Sequence, residues 1–417
     1  MVKLQSPRGT ADLMPEEMAR HRHVMDTAKD TSALFGFAEM ATPIFEFTDV
    51  FARPLGESSD VVTKETYSFT DRGGEGLTLR PEGTAGVVRA LISAGLTQTL
   101  PQKFFYAGPM FRYERPQKGR MRQFHQVGVE LLGPREPLAD AEVIELGALM
   151  LSHLGVLEHC VLHLNSLGDG ESRAAYRTAL VEYLKGHQNH LSEDSLRRLE
   201  LNPLRILDSK DEGDRATLAD APRMTEYLNA ASRDHAAHVR ACLDAAGVSY
   251  IEDPKLVRGL DYYCHTAFEF ITDALGAQGT VLGGGRYDGL AETLGGPAVA
   301  GVGWAAGVER LALLAETGLS LPQPVVLIAL GDGQIPGLAG LASSLRRGGL
   351  RAEMPYSGNL GKQMKRADKL GASLVVIQGS DEAARGMVIL RDMADGGQEE
   401  VPMDDAARLI LSRMGRG

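Results

Sequence analysis

Polar side chains that could hold charged groups are concentrated in residues 104–133, around the basic loop ERPQKGRM. Polar and apolar residues alternate on both sides of this loop, which predicts two strands, because successive side chains of a strand point to opposite faces. Arg112 then ends the first strand, and Gln126 and Glu130 share one face of the second. A guanidinium binds phosphate or carboxylate oxygens through a fork of N–H donors, and Gly128 leaves space where a ligand could approach. The pattern predicts a polar pocket wall with an anion site or, alternatively, an amphipathic hairpin whose polar face is solvated.

Four further segments combine polar residues with glycines or aromatics. They are LTLRPEGTAG (77–86), LVRGLDYYCHTAFEF (256–270), GGGRYDGL (283–290) and GVGWAAGVERLALL (301–314). Taken singly, the first is typical of a helix start, the second of a strand start, the third of a turn and the fourth of an amphipathic helix. No one of them indicates a function by itself.

These segments must be positioned by an α/β region that we predict to run to residue 322, interrupted by a mostly helical section at about 167–250. The linker TGLSLPQP, residues 317–324, contains two prolines and a glycine and predicts a domain boundary. Beyond it, strands alternating with helices predict a small βαβ-type domain over residues 325–417. We predict its strands near 325–330, 350–354 and 373–378 and its helices near 336–347 and 360–370.

Composition excludes several classes of protein. The longest aliphatic stretch, Val325–Leu330, is too short to span a bilayer, and no apolar leader is visible near the N-terminus, so we expect a cytoplasmic protein with no membrane contact. The three cysteines have no paired spacing, so we expect reduced thiols and assign no side chain to a metal.

Charge is unevenly distributed along the chain. The formal net charge is −11, but residues 324–417 carry 12 Lys and Arg against 11 Asp and Glu. Four basic residues within the second domain stand at helical spacing that places them on one face. This basic stripe comprises Lys362, Lys365, Arg366 and Lys369. It predicts either a local RNA contact or an ordinary solvated helix face.

The strand–loop–strand at 104–133 resembles the second signature motif of class II aminoacyl-tRNA synthetases, and its RPQKGRMRQFHQ form is similar to bacterial histidyl enzymes. The segments at 256–270 and 283–290 resemble the two motifs specific to the histidyl-tRNA synthetase family, and the segment at 301–314 resembles the third class II motif. SPRGTADLMP near the start and NLGKQMKRADKLGA near the end match as well, so the resemblance covers nearly the whole chain.

The resemblance implies a role for particular residues of this sequence. Arg112 would hold the α-phosphate of ATP and, with Arg258, act in catalysis. Bidentate guanidinium groups suit a reaction in which a carboxylate must meet a phosphate. The other implied site residues are Arg120 and Arg310 for the outer phosphates, Glu82, Thr84 and Gln126 for the histidine ammonium, Glu130 and Tyr263 for the imidazole, and Tyr287 for closing the pocket.

The fold implied by the resemblance is a mixed, largely antiparallel sheet flanked by helices, with a helical insertion, over residues 1–322. A C-terminal α/β anticodon-binding domain would follow over residues 325–417. The implied reaction activates L-histidine with ATP and Mg2+ and then transfers it to the terminal adenosine of tRNA(His), in a homodimer.

Two other functions remain open. The regulatory subunit of ATP phosphoribosyltransferase keeps the histidyl catalytic fold as a binding module, but it typically lacks the anticodon-binding domain and degrades the second motif and RGLDYY. A class II ligase for another amino acid would leave both histidine-specific segments unexplained.

Overall fold

The computed structural model describes residues 4–55, 65–115, 120–201, 203–257, 262–315 and 323–415. The chain divides into two compact units, Met1–Thr317 and Gly318–Gly417. No helix within the described ranges has the length and apolar character needed to cross a membrane. Cys160, Cys242 and Cys264 are all free thiols.

The first unit is built on an eight-stranded mixed sheet in the order β1-β5-β6-β11-β10-β9-β7-β8, which is antiparallel except at its two outer pairs. A three-stranded sheet, β2-β4-β3, stands apart from it. The strands are β1 Ala38–Glu39, β2 Phe45–Phe47, β3 Tyr67–Thr70, β4 Gly76–Leu79, β5 Gln102–Phe111, β6 Gln123–Gly133, β7 Val161–Ser166, β8 Ile251–Glu252, β9 Cys264–Ile271, β10 Thr280–Arg286 and β11 Ala300–Gly307.

Helices cover the sheet because the side chains on one face of its strands are apolar. Val127 and Val129 of β6 are fully buried in the main core, whereas the residues that alternate with them are polar or glycine. The helices of this unit are α1 Pro15–Leu34, α2 Asp49–Leu55, α3 Thr84–Ser93, α4 Pro137–His153, α5 Gly170–Gly186, α6 Glu193–Leu201, α7 Glu212–Leu218, α8 Ala230–Ala245, α9 Leu290–Thr293 and α10 Val308–Leu314.

The predicted helical section corresponds to α5–α8. Side chains that accept a backbone N–H at the helix start fix three of these helices, namely Asp169 for α5, Asp211 for α7 and Asn229 for α8. The section has a small apolar core of its own around Tyr176, Leu180 and other side chains. The part from α5 to α7 therefore packs as a local unit between β7 and β8, whereas α8 contributes Val239 and Leu243 to the main core.

The second unit contains a five-stranded sheet in the order β13-β12-β14-β15-β16, with parallel pairing among the first three strands and antiparallel pairing beyond. The mixed α/β class is as predicted, and the three predicted strands are present, but the sequence did not indicate the last two. The elements are β12 Val325–Ala329, α11 Ile335–Arg347, β13 Ala352–Glu353, α12 Leu360–Lys369, β14 Leu374–Gln378, α13 Ser380–Ala384, β15 Met387–Asp392, β16 Gln398–Pro402 and α14 Met403–Arg413.

Candidate active site

The candidate site is a pocket at the end of the β5–β6 hairpin, walled by β10, β11 and the first turns of α3 and α10. Eight of the residues assigned from the sequence line it directly or lie immediately behind its wall in the described structure, in addition to Arg112. They are Glu82, Thr84, Arg120, Gln126, Glu130, Tyr263, Tyr287 and Arg310, of which Glu130 and Tyr287 belong to the layer behind.

Arg112 follows β5 and is held in place from three sides. Its backbone N–H donates to the carbonyl of Arg122 at 2.9 Å, and its Nε donates to the carbonyl of Pro81 at 2.8 Å. The guanidinium also lies over the ring of Phe124, 5.2 Å from the ring centroid. These contacts pre-orient the remaining N–H donors, which an incoming anion would otherwise have to order.

Three arginines, Arg112, Arg120 and Arg310, line the same pocket. Burial, together with repulsion from Arg120 and Arg112, lowers the pKa of Arg310 below its ordinary value. Arg120 forms an ion pair with Glu114 at 2.7 Å. A cluster of like charges that depresses a guanidinium pKa is a site that an anion would stabilise.

Glu82 lies just before α3 and is almost fully buried. Its carboxylate accepts the backbone N–H groups of Thr84 and Ala85, at 2.5 and 3.0 Å. Burial raises the pKa of Glu82, and the two N–H groups and Arg112 oppose this rise. The bonds fix the carboxylate at the edge of the pocket.

Glu130 is fully buried behind the pocket wall. Its carboxyl accepts the hydroxyl of Thr84 at 2.7 Å and also bonds to the hydroxyl of Tyr287. Burial raises the pKa of Glu130 to about 8, although the bonds from Tyr287 and Thr84 oppose the shift. At neutral pH this carboxyl therefore tends to hold a proton.

Two glycines shape the space around Glu130, in a way that differs from the sequence interpretation. We predicted that Gly128 leaves room for a ligand, but a Cβ there would lie 2.4 Å from the Tyr106 hydroxyl, so Tyr106 fills the gap. Gly303 stands opposite Glu130 in the sheet. A Cβ at Gly303 would lie 2.0 Å from Glu130 Oε2, so glycine is required there for the carboxyl to fit.

The segments at 256–270 and 283–290 contribute differently to the site. Tyr262 and Tyr263 line the pocket, and Tyr287 is buried behind them, 6.4 Å from Tyr263 between ring centroids. Gly283, Gly284 and Gly285 of GGGRYDGL lie in β10 at the centre of the sheet, whereas Gly289 lies in the turn that follows. Gly284 permits this because a Cβ there would lie 2.2 Å from a neighbouring strand carbonyl.

Arg286 lies in the same segment, and the sequence alone predicted no role for it. It is fully buried and forms an ion pair with Asp140 of α4 and, at 3.0 Å, another with Asp288. Burial alone would lower its pKa, but these carboxylates outweigh burial and raise it. The pair ties β10 to α4, so the arginine holds the site's scaffold together.

Some assigned residues are not brought into this pocket by the described structure. Arg258 lies in 258–261, outside the described residues. The basic stripe is exposed along α12 in the second unit, opposite the buried Gln363 and Ala367. Conversely, the pocket includes Glu114 and Glu309, to which the sequence assigned no role. Glu114 is the first residue of the basic loop ERPQKGRM, and Glu309 directly precedes Arg310.

Known proteins and protein families match this chain over both of its units. The model of the family described as "Histidyl-tRNA synthetase" matches residues 9–311, and the model described as "Anticodon binding domain" matches residues 324–413. A histidine–tRNA ligase of Rhodospirillum rubrum is 60% identical over 96% of this chain and 97% of its own length. One of Gluconacetobacter diazotrophicus is 56% identical over 97% of each chain. The crystal structure of apo S. aureus histidyl-tRNA synthetase has a TM-score of 0.83 at 36% identity, covering 98% of this chain and 99% of that one.

Proposed function

Because this chain belongs to the histidyl-tRNA synthetase family, we propose that its β5–β6 pocket is where histidine and ATP react. The function is that of a histidine–tRNA ligase, an ATP-dependent class II enzyme with an anticodon-binding domain. The regulatory-subunit alternative is disfavoured, since relatives 55–60% identical over nearly the full chain are ligases.

The observation that carries the site assignment is the combination of cationic side chains and acceptor side chains in one pocket. Arg112, Arg120 and Arg310 supply the first, whereas Glu82 and Gln126 supply the second. Gln126 Oε1 is buried and has no hydrogen-bond partner among the described residues. A buried acceptor without a partner is costly unless a ligand donor completes it, and the histidine ammonium is such a donor.

In the activation step, a histidine carboxylate oxygen attacks the α-phosphorus of ATP. A new P–O bond forms as the bond to the leaving pyrophosphate breaks, giving histidyl-adenylate. Negative charge on the non-bridging oxygens is stabilised by positioned cations, which is the main requirement of phosphoryl and nucleotidyl transfer. Arg112 fits this role on the α-phosphate, Arg120 and Arg310 fit the outer phosphates, and Arg258 is assigned to catalysis by the family resemblance alone.

Histidine is selected through the imidazole ring. Tyr263 lines the pocket, and Glu130 lies one layer behind with Tyr287 and Thr84 bonded to it. The imidazole engages Tyr263 and Glu130, and Tyr287 closes the pocket from behind. A side chain that cannot replace these bonds leaves buried polar groups unpaired, and such a penalty supports strong discrimination. Glu82, Thr84 and Gln126 hold the ammonium.

Mg2+ fits this pocket as a partner of ATP. It prefers oxygen ligands and keeps phosphate oxygens and water around it. Of the carboxylates that line the pocket, Glu82 and Glu309 accept backbone N–H groups, whereas Glu114 pairs with Arg120. Glu114 is the group that becomes available when Arg120 turns to a phosphate. Bound there, Mg2+ would neutralise phosphate charge.

The second unit carries the surface that we assign to RNA binding. The basic stripe on α12 is assigned to tRNA(His), because none of its four residues pairs with a carboxylate among the described residues.

Phe45 and Phe47 of β2 and Phe69 of β3 are each about half exposed. An exposed aromatic patch of this kind favours a protein interface, so we assign it to a second copy in a cytoplasmic homodimer.

The deciding experiment is exchange of labelled pyrophosphate into ATP by the purified chain with each amino acid in turn. We expect exchange with histidine alone, and at least about a hundredfold loss in Arg112→Lys, which cannot bind bidentately. Exchange with no amino acid would indicate a binding module. Exchange with a different amino acid would overturn the assignment of Glu130 and Tyr263.

A further inference from the structure

Three side chains from distant parts of the chain converge beside the pocket. His21 lies on α1, His125 on β6 and Glu309 in the first turn of α10. His125 alternates along β6 with Phe124 and Gln126, which line the pocket, so its side chain points the other way. We refer to these residues as the His21–His125–Glu309 cluster.

The atoms of the cluster are close enough to share one ligand. His125 Nδ1 lies 2.9 Å from Glu309 Oε1, and the His125 backbone N–H also donates to that carboxylate, at 2.9 and 3.0 Å. The ring of His21 meets the ring of His125 edge-on, at 5.5 Å between centroids. One ligand atom from each residue lies within 4.8 Å of the other two. A tetrahedral ion with bonds of about 2.0–2.2 Å requires its ligand atoms to lie somewhat more than about 3 Å from one another. Small rotations of the three side chains can bring their ligand atoms to such separations.

His21 is the member that packing alone does not explain. Its side chain is only 5% exposed, and its Nδ1 is buried without a hydrogen-bond partner among the described residues. Such an atom costs free energy in the folded state unless something binds it.

We propose that the His21–His125–Glu309 cluster is a binding site for a divalent transition-metal cation of the Zn2+ class. Two imidazoles and one carboxylate form a ligand set that suits Zn2+ and leaves a fourth position for water. Imidazole ligands do not suit Mg2+ or Ca2+, which prefer oxygen. An ion here would join α1 to β6 and α10, the elements that carry Gln126 and Arg310. It is therefore distinct from the Mg2+ that accompanies ATP.

The test uses the full chain, freed of metal with a chelator, titrated with Zn2+ by calorimetry and with Co2+ by visible absorption. We expect one equivalent to bind, a Co2+ spectrum typical of tetrahedral coordination, and a Zn2+-dependent rise in melting temperature. His21→Phe should weaken Zn2+ binding by at least about a hundredfold, because loss of a direct ligand costs no less than loss of its outer partner. This variant keeps the edge-on ring and removes no hydrogen bond among the described residues.

His23→Phe is the matched control, since His23 lies on the same helix outside the cluster. It should bind Zn2+ as the wild type does, whereas His125→Gln and Glu309→Gln should weaken binding as His21→Phe does. Should His21→Phe fail to fold by circular dichroism, the other two variants decide the question. Absence of Zn2+ binding in the wild type, or equal affinity in the cluster variants and the control, would overturn the proposal.

Discussion

Glu130→Gln tests the protonation state of the carboxyl behind the pocket. The substitution keeps the shape of the side chain and removes its ability to ionise. The Glu130 carboxyl has a folded pKa of about 8 because it is completely buried. In the unfolded chain the same group titrates near 4.3. The two states therefore bind different numbers of protons between these values.

The sign of the effect follows from this difference. Below about pH 4 both states hold the proton, and the raised pKa contributes its full stability. As the pH rises towards 8, the unfolded state releases the proton while the folded state retains it, so the free energy of unfolding falls. A shift of this size corresponds to at most about 5 kcal/mol, since one pKa unit is worth about 1.4 kcal/mol. Glu130→Gln lacks this term, so its stability relative to wild type should increase steadily from pH 5 to pH 8.5.

The assay is urea unfolding of both proteins across this pH range, monitored by the single tryptophan, Trp304, which is buried in the first unit. Glu158→Gln, at an exposed position, is the matched control and should track the wild type. If the difference between Glu130→Gln and wild type were independent of pH, Glu130 would be ionised throughout. The argument from burial would then be refuted.

The remaining predictions concern packing, a buried ion pair and RNA binding. Gly303→Ala places a Cβ 2.0 Å from Glu130 Oε2, so we expect the free energy of unfolding to fall by about 1–3 kcal/mol. The KM for histidine should rise more than the KM for ATP. Gly289→Ala is the control, because nothing lies within 4 Å of its Cβ, and it should change neither the stability nor the KM values. Asp140→Asn leaves the buried Arg286 guanidinium without its main charged partner. Urea unfolding should then show a free energy of unfolding about 3–5 kcal/mol lower than that of the wild type. A decrease of less than about 1 kcal/mol would contradict this prediction. Replacing the basic stripe by alanines should flatten the dependence of tRNA affinity on salt, by up to about one unit of log–log slope per phosphate contact removed, and identical slopes would show a solvated helix face.

Sequence patterns predicted those parts of the fold that depend on local periodicity. The strands on either side of residues 112–122 follow from alternation along the chain, and α12 follows from the helical spacing of the basic stripe. Taken alone, GGGRYDGL is typical of a turn, and Asp288 and Gly289 do lie in one. Its first three glycines lie in β10 instead, and only the neighbouring strand reveals that Gly284 is needed there for close packing. The filling of the space at Gly128 by Tyr106 depends on the pairing of β5 with β6, which no single segment encodes.

The absence of a side chain at Gly303 matters to anyone who wishes to recode this enzyme for another amino acid. The carboxyl of Glu130 lies against strand backbone at this position, so the residue that we propose to recognise histidine and the glycine behind it depend on each other. A smaller side chain at 130 would open an internal void and would not by itself create a new contact for the substrate. A larger side chain at 130 would collide with the strand backbone at Gly303. Changing the accepted amino acid should therefore require coordinated substitutions on β6 and β11, and libraries that vary one strand at a time should yield mainly inactive proteins.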